Sequence, residues 1–321
     1  MYYLYRICII LLYACVGVWS KLGYFLHVTD IHYDPLYSPG SPTKCALGNT
    51  GLGCCHKYDL PLIGNHAASP WGDYNCDASP LFVNETFRWI KTNIKPLDFI
   101  FYTGDSAGHH DLSNLPHIVK QSMSDINLML ETNFPDIPKY NNLGNHDTWP
   151  IDQTLTLEYP SLLDSVADLW YPYLNANSIN DIRTGGYYTT LLSNHTRIVS
   201  FNSIYYGGNN MEKRSPYNDT QFTWLRNTLK YSRQNKQMVW LLSHIFPTAG
   251  ESTHDYNMAL KEVVRDYSDI IRYQWFGHSH NDQFVLYKEG NHYFGTAVVG
   301  ASLMPDKRFP SFRIYQYDKR S

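Results

Sequence analysis

Short apolar runs recur along the chain, and each breaks off at a small or polar residue. Tyr24 to Val28 stops at Thr29-Asp30, Leu97 to Tyr102 at Thr103-Gly104-Asp105, Met238 to Leu242 at Ser243-His244, and Ile270 to Phe276 at Gly277-His278. Runs of this length, apolar without alternation, predict strands covered on both faces. Between them the spacing turns helical. Leu115, Ile118, Val119, Ile126, Met129 and Leu130 share one face, and Phe222, Leu225 and Leu229 share another behind a cap expected at Asn218. His292 to Val299 and Phe312 to Tyr317 alternate and read as further strands. The alternation of strands and helices predicts an α/β layered protein, in which ligands gather at the carboxyl ends of strands.

One stretch departs from this rhythm. From Pro35 to Pro80 the chain is rich in Gly, Pro and Asn, and it predicts a long loop inserted after the first strand. The loop holds Cys45, Cys54, Cys55 and Cys76. Adjacent Cys54 and Cys55 lack the two-residue gap of a metal knuckle, so these four predict disulfides, with three pairings open. The chain opens with Arg6 and the apolar run Ile7 to Val18, closed by Ser20. That run is too short to span a bilayer comfortably and predicts a secretory signal over residues 1–20, which would carry Cys8 and Cys15 away. Residues 21–321 then read as one domain without a stable membrane span, secreted to the extracellular space or to the lysosomal lumen. Sequons at Asn84, Asn194 and Asn218 are compatible with glycosylation in that compartment.

Charge narrows the partners. A net charge of −3 and a pI near 6.5 give no basic field for a nucleic-acid polymer. The aromatic content of 15%, with 27 Tyr, is assigned to packing instead of a ligand platform.

The chemistry lies in what ends the apolar runs. Asp30-Ile31-His32, Gly104-Asp105, Gly144-Asn145-His146-Asp147, Ser243-His244 and Gly277-His278-Ser279-His280 supply two aspartates, an asparagine and four histidines. Carboxylate, amide oxygen and imidazole together suit divalent transition metals. Asp30 and His32, two apart, are expected to point the same way if the strand continues through them. We place Asp30, His32 and His280 on one ion and Asn145, His244 and His278 on the other, with Asp105 shared. Two ions about 3.5–4 Å apart can clamp a hydroxide for in-line attack on phosphorus and neutralise the phosphoryl oxygens. His146 is placed as general acid to the leaving alkoxide, and His109 either stabilises the transition state or shares the proton donation. A protonated histidine in that role predicts an acidic optimum. Gly72-Asp73 and Gly64-Asn65-His66 are set aside because no apolar run precedes either; His27, His56, His117, His195 and His254 are read as structural, and His110 is left without a role.

These motifs, in this order, resemble the calcineurin-like metallophosphoesterases and, more closely, the acid sphingomyelinase-like phosphodiesterases. The residues that carry the resemblance are Phe25 to Pro35, Thr103-Gly104-Asp105 with His109, Gly144 to Asp147, Gly185-Gly186-Tyr187-Tyr188 and Phe276 to Asp282, and it runs from about residue 24 to 318. It implies a layered sandwich of two mixed β-sheets flanked by helices, two Zn2+ per chain with manganese or iron as substitutes, and a catalytic pair at His109 and His146. It also implies the disulfides Cys45–Cys54 and Cys55–Cys76. Gly108, three residues past Asp105, stands where the purple acid phosphatases would have an iron-binding tyrosine. No saposin-like module is recognised ahead of the catalytic part, and the C-terminal helical segment of relatives is expected to be absent after the last strand.

The functional expectation is a phosphodiesterase acting on small soluble phosphodiesters or nucleotides, nucleotide-cholines included. A sphingomyelin phosphodiesterase working on lipid is the first alternative, which exposed aromatic residues beside the site, Trp71 or Trp149, would support. A non-catalytic secreted binding protein is the second, and the intact ligand set argues against it.

Overall fold

The computed structural model describes residues 22–46, 53–109, 115–248, 250–305 and 308–319. The expected signal segment and His110 lie outside them. Ten strands form two mixed sheets. The first has the order β10-β1-β2-β3, from Arg313–Asp318, Leu22–Val28, Phe99–Tyr102 and Lys139–Asn141. Here β1, β2 and β3 run parallel while β10 is antiparallel to β1. The second has the order β4-β5-β6-β7-β9-β8, from Tyr188–Ser193, Thr196–Ser200, Met238–Leu242, Ile271–Phe276, His292–Val299 and Gln283–Glu289. Its central strands β5, β6, β7 and β9 are parallel, with an antiparallel hairpin partner at each edge.

The two sheets meet over an aromatic layer. Phe25, Phe99, Phe101 and Tyr140 of the first pack on Ile198, Trp240, Leu242 and Trp275 of the second. Phe25 alone stacks on Phe99 at 4.7 Å and meets Trp275 edge-on at 5.3 Å, the offset and T-shaped geometries that ring quadrupoles favour. Much of the aromatic content serves the core, while other rings, Trp71, Trp89 and Phe309 among them, are exposed. Helices cover the outer faces. Helices α1 (Pro80–Asn93) and α2 (Pro116–Asn133) cover the first sheet through Val83, Phe87, Ile126 and Leu130. Helices α3 (Tyr159–Trp170), α4 (Ala176–Gly185), α5 (Thr220–Gln234) and α6 (His254–Asp266) cover the second. The predicted face of α2 is largely the buried one, and Phe222, Leu225 and Leu229 are the buried face of α5. The cap of α5 is Asp219, whose carboxylate accepts from Gln221 N, and not Asn218.

The cysteine-rich insert packs around its own small core of Tyr37, Ala68 and the four cysteines, stapled by Cys45–Cys54 and Cys55–Cys76. Its interior holds a buried histidine between two carboxylates: His56 Nε2 lies 2.8 Å from Asp34, and its backbone N–H donates to Asp59 at 2.7 Å. His66 pairs with Asp73 at 2.7 Å on the insert's surface, so the motifs set aside earlier stay within the insert. Asn194 occupies the exposed β4–β5 turn, Asn218 is exposed, and Asn84 lies half-buried on α1, where it accepts from Asn133.

Candidate metal centre

Strands β1, β2, β3, β6 and β7 all end at the same rim, and each is followed directly by one predicted motif. The first correction concerns β1. It stops at Val28, and Asp30 and His32 take left-handed φ of 50° and 45°, so they converge through a strained loop and not along a continuing strand. Asp105, His278 and His280 are left-handed as well, at 61°, 73° and 57°. Of nine non-glycine residues with positive φ among those described, these are five. Such conformations cost roughly 1–3 kcal/mol each and persist where their surroundings over-determine them.

Those surroundings are contacts between loops. Thr29 Oγ1 donates to Asp30 Oδ2 at 2.7 Å, and the His278 N–H donates to Asp30 Oδ1 at 2.9 Å. The His146 N–H donates to Asp105 Oδ1 at 2.8 Å. Asp147 accepts from the N–H groups of Asp105, Ser106 and Gly144 at 3.0, 2.7 and 2.8 Å, which locks the second and third loops together. Glycines permit this approach. A Cβ on Gly144 would stand 2.1 Å from Asp105 Oδ1, and one on Gly277 would stand 2.1 Å from Thr29 Oγ1 and 2.6 Å from Asp30 Oδ2.

Ring tautomers follow from the partners, because a carbonyl can only accept. His32 Nδ1 faces the Ala107 carbonyl at 3.0 Å, and His244 Nδ1 faces that of Thr103 at 2.7 Å. Both therefore carry the proton on Nδ1 and turn Nε2 inward. His32 Nε2 lies 3.0 Å from His280 Nε2 and 3.5 Å from Asp105 Oδ2. His244 Nε2 lies 3.1 Å from Asp105 Oδ2 and 2.9 Å from Asn145 Oδ1. His278 Nδ1 lies 2.8 Å from the same amide oxygen, while its Nε2 faces Glu251 Oε2 at 3.1 Å. Lone pairs thus converge on one another around two centres sharing Asp105. Asp30, His32, Asp105 and His280 offer donor atoms within 4.8 Å of one another, as do Asp105, His244 and His278. This donor set fits two divalent cations, whose charge would relieve the opposed lone pairs. The seven residues placed on metal by their sequence are brought together here.

Electrostatics favour the ligating form at His32 and His280 and oppose it, with no cation bound, at His244 and Asp30. Burial drives His32 well down and His280 to about 3, and in both cases the neighbouring His109 adds to it; the imidazoles are held neutral, as a ligand requires. His146 is pushed to about 4 by burial and by His109. Burial would lower His244 too, yet the Asp105 carboxylate outweighs it and carries the ring to about 9. Burial opposes ionisation of Asp105, but His244 and His146 hold its carboxyl well below the usual range, whereas burial lifts Asp30 to about 7.

His109 and His146 sit at the half-buried, open side. The His109 ring stacks on His32 at 4.0 Å and meets His146 at 4.5 Å. His146 Nδ1 faces the Gly108 carbonyl at 3.1 Å. His32, His109 and His280 also form a group of ring nitrogens within 4.8 Å of one another. Of the residues behind these groups, Asp147 closes the Gly144 to Asp147 motif without having been given a role, while Asp77, Glu251 and Asp152, whose carboxylate accepts from the Asn145 side chain, carry no sequence signal of their own. Of the two tryptophans considered for lipid, Trp149 is buried, and exposed Trp71 lines a groove with Trp89, Phe82 and Phe312.

Known proteins resemble this chain to different depths. A dimetal phosphatase from Danio rerio superposes with a TM-score of 0.55 over 91% of both chains at 12% identity, a likeness of fold. Cyclic GMP-AMP phosphodiesterase SMPDL3A from Bos taurus is 32% identical over 96% of this chain and 70% of its own length. Sphingomyelin phosphodiesterase A from Dictyostelium discoideum is 30% identical over 93% of this chain and 51% of its own. The calcineurin-like phosphoesterase family model matches residues 23–282, which contain every strand end at the rim. The chain belongs to the calcineurin-like phosphoesterases, on their acid sphingomyelinase-like side, and is a phosphoric diester hydrolase.

Proposed function

We propose that this chain is a secreted phosphodiesterase with two zinc ions, hydrolysing small soluble phosphodiesters and nucleotides. The carrying observation is the inward convergence of His32, His244, His278 and His280 nitrogens on Asp30, Asp105 and Asn145 oxygens. In this reading Asp30, His32 and His280 hold one ion, Asn145, His244 and His278 the other, and Asp105 both. Bound there, a pair of divalent ions supplies Lewis-acid charge neutralisation and an activated water for in-line displacement at phosphorus. His109 and His146 flank the open side, where they orient the phosphoryl group and move a proton to the departing oxygen. Mixed nitrogen and oxygen ligands favour zinc over harder cations. The two disulfides, with exposed Asn194 and Asn218, support secretion and glycosylation.

The relative acting on cyclic GMP-AMP supports a nucleotide-type diester. A lipid diester is the second reading, favoured by exposed Trp71 and Trp89 and by the relative named for sphingomyelin. Bis-p-nitrophenyl phosphate, ATP, CDP-choline, a cyclic dinucleotide and sphingomyelin, each assayed with and without chelator, separate the two. Chelator-sensitive turnover of the soluble members alone supports the first reading. Turnover of sphingomyelin alone sinks it.

A further inference from the structure

The cysteine-rich insert reaches the rim of the site. It returns to the rim at Cys76-Asp77-Ala78 and runs alongside the first ligand loop, on the side away from the second. The Ala78 N–H donates to the His32 carbonyl at 2.9 Å, and the Ala78 carbonyl accepts from Asp34 N at 3.1 Å. Tyr33 bridges to Ala78 and also to Ala107. The segment is anchored immediately upstream by Cys55–Cys76 and downstream by Ser79, which caps α1. Its one acid, Asp77, is 1% exposed. Both its oxygens are spent on a single residue: Oδ2 accepts from the His109 N–H at 2.6 Å, and Oδ1 lies 2.8 Å from His109 Nδ1.

We propose that Asp77 is a positioning residue that sets the tautomer and ring orientation of His109. A buried carboxylate can only accept, so it fixes the proton on Nδ1 and makes Nε2 the nitrogen presented to the departing group. The second bond, to the His109 backbone, fixes the main chain from which that ring projects. His146 contrasts with this, since a neutral carbonyl, that of Gly108, holds its Nδ1. A carboxylate stabilises a charge developing on the imidazole it holds, and a carbonyl does so less. The insert therefore contributes an Asp–His unit to the rim, and its disulfide holds the acid in register. This inference rests on the reading above, in which His109 handles the leaving-group proton.

The test compares two substrates that differ in their need for a proton. In a dinucleoside monophosphate the P–O bond breaks to a ribose alkoxide, which takes the proton from His109 Nε2; the ring returns to neutral and is recharged from water. In bis-p-nitrophenyl phosphate the leaving nitrophenolate is stable unprotonated. Asp77→Asn keeps the shape and an acceptor for the backbone N–H but turns an amide N–H toward Nδ1, imposing the opposite tautomer. The dinucleoside rate should fall about 10²-fold further than the bis-p-nitrophenyl phosphate rate, the scale of one proton-transfer contribution. His109→Ala should show the same selectivity, and the double variant should lose little beyond either single one. Equal loss on both substrates in D77N beside a selective H109A overturns the proposal, as do additive losses in the double variant. A non-selective H109A overturns the underlying reading of His109 and this proposal with it. Wild-type protein gives a reading that does not depend on whether D77N folds. In 15N-histidine NMR spectra, the His109 signal (assigned by its loss in H109Q) should report a proton on Nδ1, and a neutral ring protonated on Nε2 overturns the proposal.

Discussion

Gly277→Ala is the sharpest test of how the rim is built, because it adds a single methyl at a residue that ligates nothing. The new Cβ would stand 2.6 Å from Asp30 Oδ2, and ordinary contact begins near 3.4 Å, so the carboxylate must retreat by about 0.8 Å. Thr29 Oγ1, at 2.1 Å, must retreat further. Neither has an easy way out. Asp30 is bound by Thr29 Oγ1 and by the His278 N–H at 2.7 and 2.9 Å, and both residues are fully buried. Metal–ligand distances tolerate only about ±0.2 Å, so a shift of this size would take Asp30 off the ion proposed for it. Disturbing one such support costs roughly 10- to 100-fold in metal affinity, or about 1.4–2.8 kcal/mol. Overpacking should add about 1–3 kcal/mol of lost stability. Competitive chelator titration, with elemental analysis after dialysis in a zinc buffer, reads the first effect, and urea unfolding reads the second. A G277A protein that keeps two ions at wild-type affinity would refute the reasoning.

Three further outcomes follow from the same geometry. Asp105→Asn removes the carboxylate common to both centres, so turnover should drop about 10³-fold or more and bound metal should fall below two ions per chain; full occupancy with preserved turnover contradicts a shared Asp105. Replacing Cys55 and Cys76 by serine releases a loop of 21 residues, and chain entropy predicts about 3 kcal/mol of lost stability in urea; an unchanged midpoint refutes it. His27 is buried and driven by burial to about 3, whereas the unfolded chain binds that proton near its ordinary 6.5. Its contribution is intact above pH 6.5 and is lost as pH falls toward 3, at up to about 1.4 kcal/mol per unit. His27→Gln should therefore lose less stability than wild type between pH 7 and 4.5, and parallel acid limbs would rule this out.

Much of the architecture is legible in the chain because burial on both faces leaves a coarse mark. Phe99–Tyr102 and Met238–Leu242 are apolar almost throughout, and a motif follows each strand directly. The helices leave a fainter one. Spacing marks α2 and α5, yet among the described residues six helices cover the sheets. Helix α4, with the sequence ANSINDIRTG, buries only one narrow face between long polar stretches and has little periodic signal to offer. The order of strands is not legible either, since β10 returns over nearly the whole chain to pair with β1.

At the site, the proposed ligands are legible because each is a metal-binding residue type just beyond a strand end. The residues that hold them are not. Asp77, Asp152 and Glu251 are ordinary acids in sequence, and their roles come from partners 32, 7 and 27 positions away; Asp147 stands in a motif, yet its hold on the second loop comes from a partner 42 positions away. The glycines mislead in a different way. Gly104, with φ of 99°, does turn the backbone, but the demand at Gly144 and Gly277 is absence of a side chain where another loop's carboxylate must pass.

That demand has one structural source. Asp30, His32, Asp105 and Asn145 leave the first sheet, while His244, His278 and His280 leave the second, so neither centre can be completed by one sheet. The Thr103 carbonyl holding His244, and the His278 N–H holding Asp30, are bonds across the seam. The separation of the two ligand sets is then set by the thickness of the aromatic layer behind them. Phe25 lies five residues from Asp30, and Trp275 three from His278, on strands that run straight into those loops. Close-packed cores transmit changes of volume, so trimming Trp275 should move His278 and His280 relative to Asp30 and Asp105. The strained backbone of the five left-handed residues has no slack to absorb that movement. In this molecule the packing between the sheets sets the spacing of the proposed ligands.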